Sequence, residues 1–341
     1  MSLFPMSLFR LAIPFLVLFA LAIPGSAARA DLFVSSFANS EVLEYNGLTG
    51  TFVKSFVTPE SSSLDAPEGL VFGPNGNLFV SSLNNNQVLE YNGTTGAFAN
   101  TFVPSGGGGL GFPEGLVFGP NGDLFVSSQG TNQVLEYKGS TGAFVKAFVP
   151  ALSGGLNGPE GLVFGPNGNL FVVNFYHNDV LEYDGSTGAF VTTFVTQGSG
   201  GLNLPEGLAF GPNGNLFVSS YYTHSVLEYD GSTGAFLESF ASGGGLSGPV
   251  DLVFGPNGDL FVSSGGTSSN AVLEYDGTTG AFVQTFASGG GLDGPSYLTF
   301  GPSSPAAPEP PALMLAVLAT LTGLAIAALR RAAAWFRPAK P

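Results

Sequence analysis

Cysteine is absent from the 341 residues. That single absence removes a disulfide framework, thiolate metal ligation and a cysteine nucleophile. Histidine is nearly absent as well: His177 and His224 are the only two, so chemistry that needs an imidazole has two places to sit. Positive charge is scarce in the middle of the chain. All 24 acidic residues lie between Asp31 and Glu309, and only Lys54, Lys138 and Lys146 oppose them there, leaving a net charge of −21 over that span. A body of this kind repels nucleic acid and anionic lipid and attracts cations. A helical apolar period is also missing from the whole acidic region, which argues against a helix bundle or a doubly wound α/β fold.

Short, repeated apolar runs punctuated by turns take its place. Glycine (51) and proline (24) recur at fixed offsets, as turn chemistry requires. The triplet Leu-Phe-Val starts at residues 32, 78, 124, 170, 216 and 260, with spacings of 46, 46, 46, 46 and 44. Leu-Glu-Tyr follows each time, at 43, 89, 135, 181, 227 and 273. A period in the forties built from four short apolar runs is the pattern of propeller blades. In the unit after Gly69, strands are expected at 69–72, 77–82, 87–91 and 97–103, with Gly73-Pro-Asn-Gly76 and Asn92-Gly-Thr-Thr-Gly96 as tight turns. First strands number six, as do sets of strands two to four, but the N-terminus lacks a first strand and the C-terminus has one to spare. The last strand, Tyr297 to Phe300, is therefore expected to complete the blade begun at Asp31. The fold class expected is all-β: a closed six-bladed β-propeller of four-stranded antiparallel blades over residues 31–302, with no free edge on its inner strands.

The two ends read as addresses. Residues 1–30 have the form of a signal peptide, with Arg10, an apolar run from Leu11 to Ile23 and the small-x-small site Ala28-Arg29-Ala30. Signal peptidase is the expected processing partner, and the mature chain is expected to begin at Asp31. At the other end, a proline-rich linker (303–311) precedes an uncharged run, Ala312 to Leu329, and a basic tail (330–341). Eighteen residues at helical rise span roughly 27 Å, about the thickness of a bilayer core. The basic tail places that end in the cytoplasm and the acidic body outside. Pro308-Glu309-Pro310, the apolar span and Arg330-Arg331, in that order, resemble the PEP-CTERM sorting signal. The resemblance implies an exosortase-type protease as partner, export through the inner membrane, and transfer of the body to the cell surface or extracellular space. A plain single-span anchor is the alternative.

The repeat itself, Pro113 to Ser128 (PEGLVFGPNGDLFVSS) followed by Gln133-Val-Leu-Glu-Tyr137, resembles the NHL repeat across 31–301. It departs from that pattern where Ser-Ser stands in place of the usual aspartate after the second strand. The wider six-bladed group includes streptogramin lyases and gluconolactonase-type metal enzymes, so the fold does not choose between binding and catalysis.

The variable loops, such as 60–63, 106–109 and 151–154, gather on one face, here called the upper face, where binding is expected. Both ends of the body belong to the lower face, so the upper face is expected to point away from the membrane. Glu68, Glu114, Glu160 and Glu206 open successive first strands beside the central channel, with Asp251 one place later in its unit. Converging carboxylates suit Ca2+ or Mg2+; solvated repeat consensus is the plain alternative. The repeat breaks at Val173-Asn174-Phe175-Tyr176-His177 and again at Tyr221-Tyr222-Thr223-His224. There the histidines could serve as base or ligand, and Asn174, Tyr176, Tyr221 and Tyr222 could contact a sugar or another flat ligand. Ordinary drift after duplication explains the same changes. The glutamates of Leu-Glu-Tyr recur in every unit and are expected to be structural. The glycine-rich loops lack the following lysine and helix of a phosphate cradle. Two functions follow: an exported, non-catalytic binding or scaffold module that takes a polysaccharide or protein ligand on its upper face, or a metal-dependent lyase or lactonase using Glu160, Asn174, His177, Glu206 and His224.

Overall fold

The computed structural model describes residues 30–59, 63–266 and 269–302. The expected signal peptide, linker, membrane span and tail, including Pro308, Glu309, Pro310, Arg330 and Arg331, lie outside the described residues. No helix among the described residues is long and apolar enough to cross a membrane.

Twenty-four strands make six four-stranded antiparallel sheets. In chain order they are β1 (Leu32–Ser36), β2 (Glu41–Tyr45) and β3 (Phe52–Val57); β4 (Pro67–Phe72), β5 (Leu78–Ser82), β6 (Gln87–Tyr91) and β7 (Phe98–Val103); and β8 (Pro113–Phe118), β9 (Leu124–Ser128), β10 (Gln133–Tyr137) and β11 (Phe144–Val149). There follow β12 (Pro159–Phe164), β13 (Leu170–Asn174), β14 (Asp179–Tyr183) and β15 (Phe190–Val195); β16 (Pro205–Phe210), β17 (Leu216–Ser220), β18 (Ser225–Tyr229) and β19 (Phe236–Ser242); then β20 (Pro249–Phe254), β21 (Leu260–Ser264), β22 (Ala271–Tyr275), β23 (Phe282–Ser288) and β24 (Pro295–Phe300). The first blade has the order β24-β1-β2-β3. The last strand thus pairs with the first, Leu298 opposite Val34 and Phe300 opposite Leu32, and the ring closes as the offset in the repeat required.

Inner strands start two residues earlier than the apolar run suggests, at the proline. The reason is a bulge. Pro67 pairs with Ser82 and Leu70 with Val80, so Glu68-Gly69 takes one residue more than the partner strand supplies. All six blades repeat this irregularity. A bulge turns a side chain out of the regular alternation, and here it falls on the channel glutamate.

Second strands are buried from end to end, which explains why their sequence runs Leu-Phe-Val without alternation. Their phenylalanine joins the blades. Phe79 meets Phe102 of its own blade edge to face at 4.7 Å and Phe118 of the next blade at 5.1 Å. The same contacts span the closure, with Phe261 on Phe300 at 5.1 Å and Phe33 on Phe72 at 5.0 Å.

The Leu-Glu-Tyr glutamates hold the lower turns. Glu182 Oε1 accepts hydrogen bonds from Asn167 Nδ2 at 2.8 Å and Asn169 Nδ2 at 2.7 Å. Glu90 and Glu228 do the same with Asn75 and Asn77, and with Asn213 and Asn215. In the first blade the turn is replaced by the ends of the body. Glu44 faces Lys54 at 3.4 Å and the Asp31 carboxylate instead, and burial raises its pKa.

Removing one clamp tests its weight. Glu182→Ala is expected to cost about 2 kcal/mol in denaturant unfolding, the scale for hydrogen bonds to a buried charge. Glu182→Gln, which keeps an acceptor, should cost less than half of that; equal losses would mean that side-chain packing and not hydrogen bonding sets the effect.

Candidate functional site: the upper mouth of the channel

The upper face is tied together by the serine pairs that close the second strands. The first serine reaches across to the next blade: Ser35 Oγ donates to Glu68 O at 2.7 Å, Ser81 Oγ to Glu114 O at 2.8 Å and Ser219 Oγ to Val250 O at 2.7 Å. These bonds fix the main chain of the channel carboxylates. The second serine receives the loop that enters the inner strand, as in Gly111 N to Ser128 Oγ at 3.0 Å, Asn203 N to Ser220 Oγ at 3.0 Å and Ser247 N to Ser264 Oγ at 2.9 Å. Serine here is thus a scaffold residue, which accounts for the departure from aspartate.

The two breaks in the repeat follow the same rules. Asn174 is fully buried and stands in the place of the second serine, accepting Asn157 N at 2.7 Å. Its amide group donates to Asp179 Oδ1 at 2.7 Å and lies 3.3 Å from His177 Nδ1. The equivalents of His177 are Thr131 and Thr223, which bond to Ser128 and Ser220 in the same way. His224 Nδ1 accepts Gly248 N at 2.9 Å, the bond that Asn132 and Asn178 make to Gly158 and Leu204. It also takes the same left-handed backbone, φ 52° against 56° and 55°. Each histidine is therefore held by its own clamp; both rings are exposed, and no hydrogen bond joins either to a channel carboxylate. Tyr176 and Tyr222 are exposed on this face (56% and 61%), whereas Tyr221 is half-buried beside Glu206.

The carboxylates do converge. The inner strands lie so close that a Cβ on Gly69 would sit 2.4 Å from Glu114 O, and one on Gly161 2.6 Å from Glu206 O. Glu114 and Glu160 are nearly enclosed, and their carboxyl groups hydrogen-bond to each other. Gln129 Nε2 donates to Glu160 Oε1 at 2.5 Å. Asp251 occupies the glycine position of its blade and accepts Leu298 N at 3.2 Å. Burial is the main cause that pushes Glu68 and Glu160 up to about 8 and Asp251 up to about 7. Burial, followed by the neighbouring acid charges, raises Glu114 and Glu206 well above the carboxylate range.

Sequence reasoning missed Tyr297. It takes the glycine position of the first blade, only 7% exposed, and its hydroxyl has no hydrogen-bond partner among the described residues. Burial raises its pKa, and the charges of Glu160, Glu114, Asp251 and Glu68 add to the shift, so the phenol belongs to the same cluster. The signal was available as Pro295-Ser-Tyr-Leu, where other units have Pro-Glu-Gly-Leu. Metal binding would draw on this cluster, yet among the described residues no group of three or more acidic or histidine side chains is arranged to hold an ion.

No protein-family model and no curated protein matches the chain. Its fold is similar to that in a crystal structure of a nidogen/laminin complex, 17% identical, with a TM-score of 0.66 over 81% of this chain and 99% of that one. It is also similar to a protein of unknown function from Bacteroides caccae, 14% identical, TM-score 0.59, over 79% and 98%. A third likeness is to a catalytically inactive virginiamycin B lyase from Staphylococcus aureus with quinupristin, 12% identical, TM-score 0.53, over 82% and 86%. At these identities the likeness is one of fold: a six-bladed propeller whose neighbours range from a binding complex to a lyase.

Two outcomes check this description. Because His224 replaces an asparagine clamp, His224→Asn should leave the unfolding midpoint within experimental error, while His224→Ala should lose about 1 kcal/mol, the worth of one hydrogen bond. Second, the folded channel holds protons that the unfolded chain releases above its ordinary value of 4.5. Stability is fully present below that value and falls as pH rises towards 8. Thermal unfolding from pH 5 to pH 9 should show this decline, and Glu160→Gln should flatten it; a midpoint that climbs over that range would contradict the burial of these acids.

Proposed function

We propose that the protein is an exported, surface-sorted acidic propeller that acts as a binding or scaffold module in the cell envelope or extracellular matrix. The observation that carries this reading is the use of both histidines and Asn174. Each makes the structural bond that asparagine, serine or threonine makes in the other blades, so the asymmetric constellation expected of a lyase or lactonase loses its base and its amide. What remains at the upper mouth is acid and aromatic surface on a rigid ring, suited to recognition. The signal-like start and the PEP-CTERM-like end support presentation outside the cytoplasm, with signal peptidase and an exosortase-type protease as processing partners. A polysaccharide or protein of the matrix is the ligand proposed for the upper face, with Tyr176, Tyr221 and Tyr222 as its contacts.

The test is adhesion of the purified body, residues 31–302, to isolated envelope and matrix material. Retention is expected, with at least a tenfold loss in a Tyr176→Ala, Tyr221→Ala, Tyr222→Ala triple variant. Turnover of lactone or streptogramin substrates that disappears in His177→Ala or His224→Ala would overturn the reading in favour of an enzyme.

A further inference from the structure

The ring of inner strands is six-fold in backbone but not in side chains. At the position of Glu68, Glu114, Glu160 and Glu206, the β20 blade carries Val250 and the first blade, through β24, carries Ser296. One residue after the serine pair, where the first five units have Phe37, Leu83, Gln129, Phe175 and Tyr221, the sixth has Gly265. Over that blade the carboxylate is set back one place, at Asp251, and the bulky rim is missing. A pocket of about 190 Å³ opens there, bounded by Glu68, Glu206, Tyr221, Phe37, Val250 and Ser296. One wall is acidic and the other is apolar and aromatic.

The Tyr297 hydroxyl, nine-tenths buried and without a hydrogen-bond partner among the described residues, lies behind this pocket rather than in its wall, and the charges of Glu160, Glu114, Asp251 and Glu68, the last of which lines the pocket, act on it. Buried polar groups without partners are uncommon in native folds, and this one shows that the acid cluster is not closed off by bonds within the protein on the side next to the pocket. A hard divalent ion needs six or more oxygens and would gain nothing from the apolar wall. An ammonium on a methylene stem suits both walls. Its three N–H donors match two carboxylates, and its stem lies against Val250 with the charge beside aromatic rings.

We infer that the upper mouth binds a primary ammonium group on an aliphatic stem, with Glu68 and Glu206 as its charged partners and Phe37 and Tyr221 as its walls. A lysine side chain of a partner protein and a free polyamine present this same group. The inference deepens the module reading by naming the chemistry that the mouth selects, and it rests on that reading only for the setting in which the ligand is met. Because the channel acids hold protons when the site is free, capture of a cation expels protons, so affinity rises from pH 6 to pH 8.5.

The test uses the body, residues 31–302, whose six blades close into one ring through the β24–β1 pairing, in calorimetric and thermal titrations at pH 8. The probes are 1,5-diaminopentane, spermidine, a lysine-containing peptide, neutral 1,5-pentanediol and calcium. Amines are expected to raise the unfolding midpoint and to release protons, while the diol does neither. Glu206→Gln, which keeps the shape, should weaken amine binding at least tenfold, whereas Glu182→Gln on the lower face should leave it unchanged. Binding by the peptide alone assigns the site to a protein partner and binding by the free amines alone to a small solute; either supports the inference. No response to any amine, an equal response to the diol, a response to calcium only, or full affinity in Glu206→Gln would overturn it. Matrix adhesion that persists without amine binding would sink this site and leave the module reading standing.

Discussion

The close approach of the six inner strands around the axis is the constraint on which the rest depends. Four of those strands carry glycine after the glutamate because a Cβ would strike the carbonyl or the carboxylate of the next strand. That contact sets the ring diameter. The bulge at the same place then turns the glutamates into the channel, and burial makes them reluctant to ionise. The two strands without this glycine, carrying Asp251 and Tyr297, fill the space that the others leave. Fold and site are in this sense the same feature: closing the ring tightly gathers the acids, and gathering the acids costs stability as the pH rises.

Repetition explains why the fold could be read so directly. Each unit buries a Leu-Phe-Val strand and joins the next through a phenylalanine pair, so a nearly constant period of 46, with one of 44, is itself the architecture. The offset between first strands and later strands announced the pairing of Phe300 with Leu32. Strand limits were less legible. The apolar run begins at Gly69 or Leu70, but the strand begins at Pro67, because a bulge is a property of pairing between strands and leaves no mark on local hydropathy.

The site was half legible. Glu68, Glu114, Glu160, Glu206 and Asp251 were placed beside the channel, and there they stand. Asn174 and His224 drew attention as departures from the repeat, yet they make the bonds of the residues they replace. A hydrogen-bond clamp accepts any side chain with an acceptor at the right reach, so a change of residue type need not be a change of role. The departures that shape the mouth are quieter: Val250 for glutamate, Gly265 for a bulky rim residue, Ser296-Tyr297 for Glu-Gly. They remove groups or fill gaps, and their effect appears only when the six units are arranged around one axis.

The central claim is that a closed ring holds its channel acids out of water. The most direct measurement is a 13C NMR titration of the glutamate carboxyl carbons, assigned by Glu68→Gln and Glu160→Gln. The account predicts that Glu68 and Glu160 titrate near 8. Titration of both near the ordinary value of 4.5 would contradict it, and would mean that water reaches the channel freely and that the ring is looser than described.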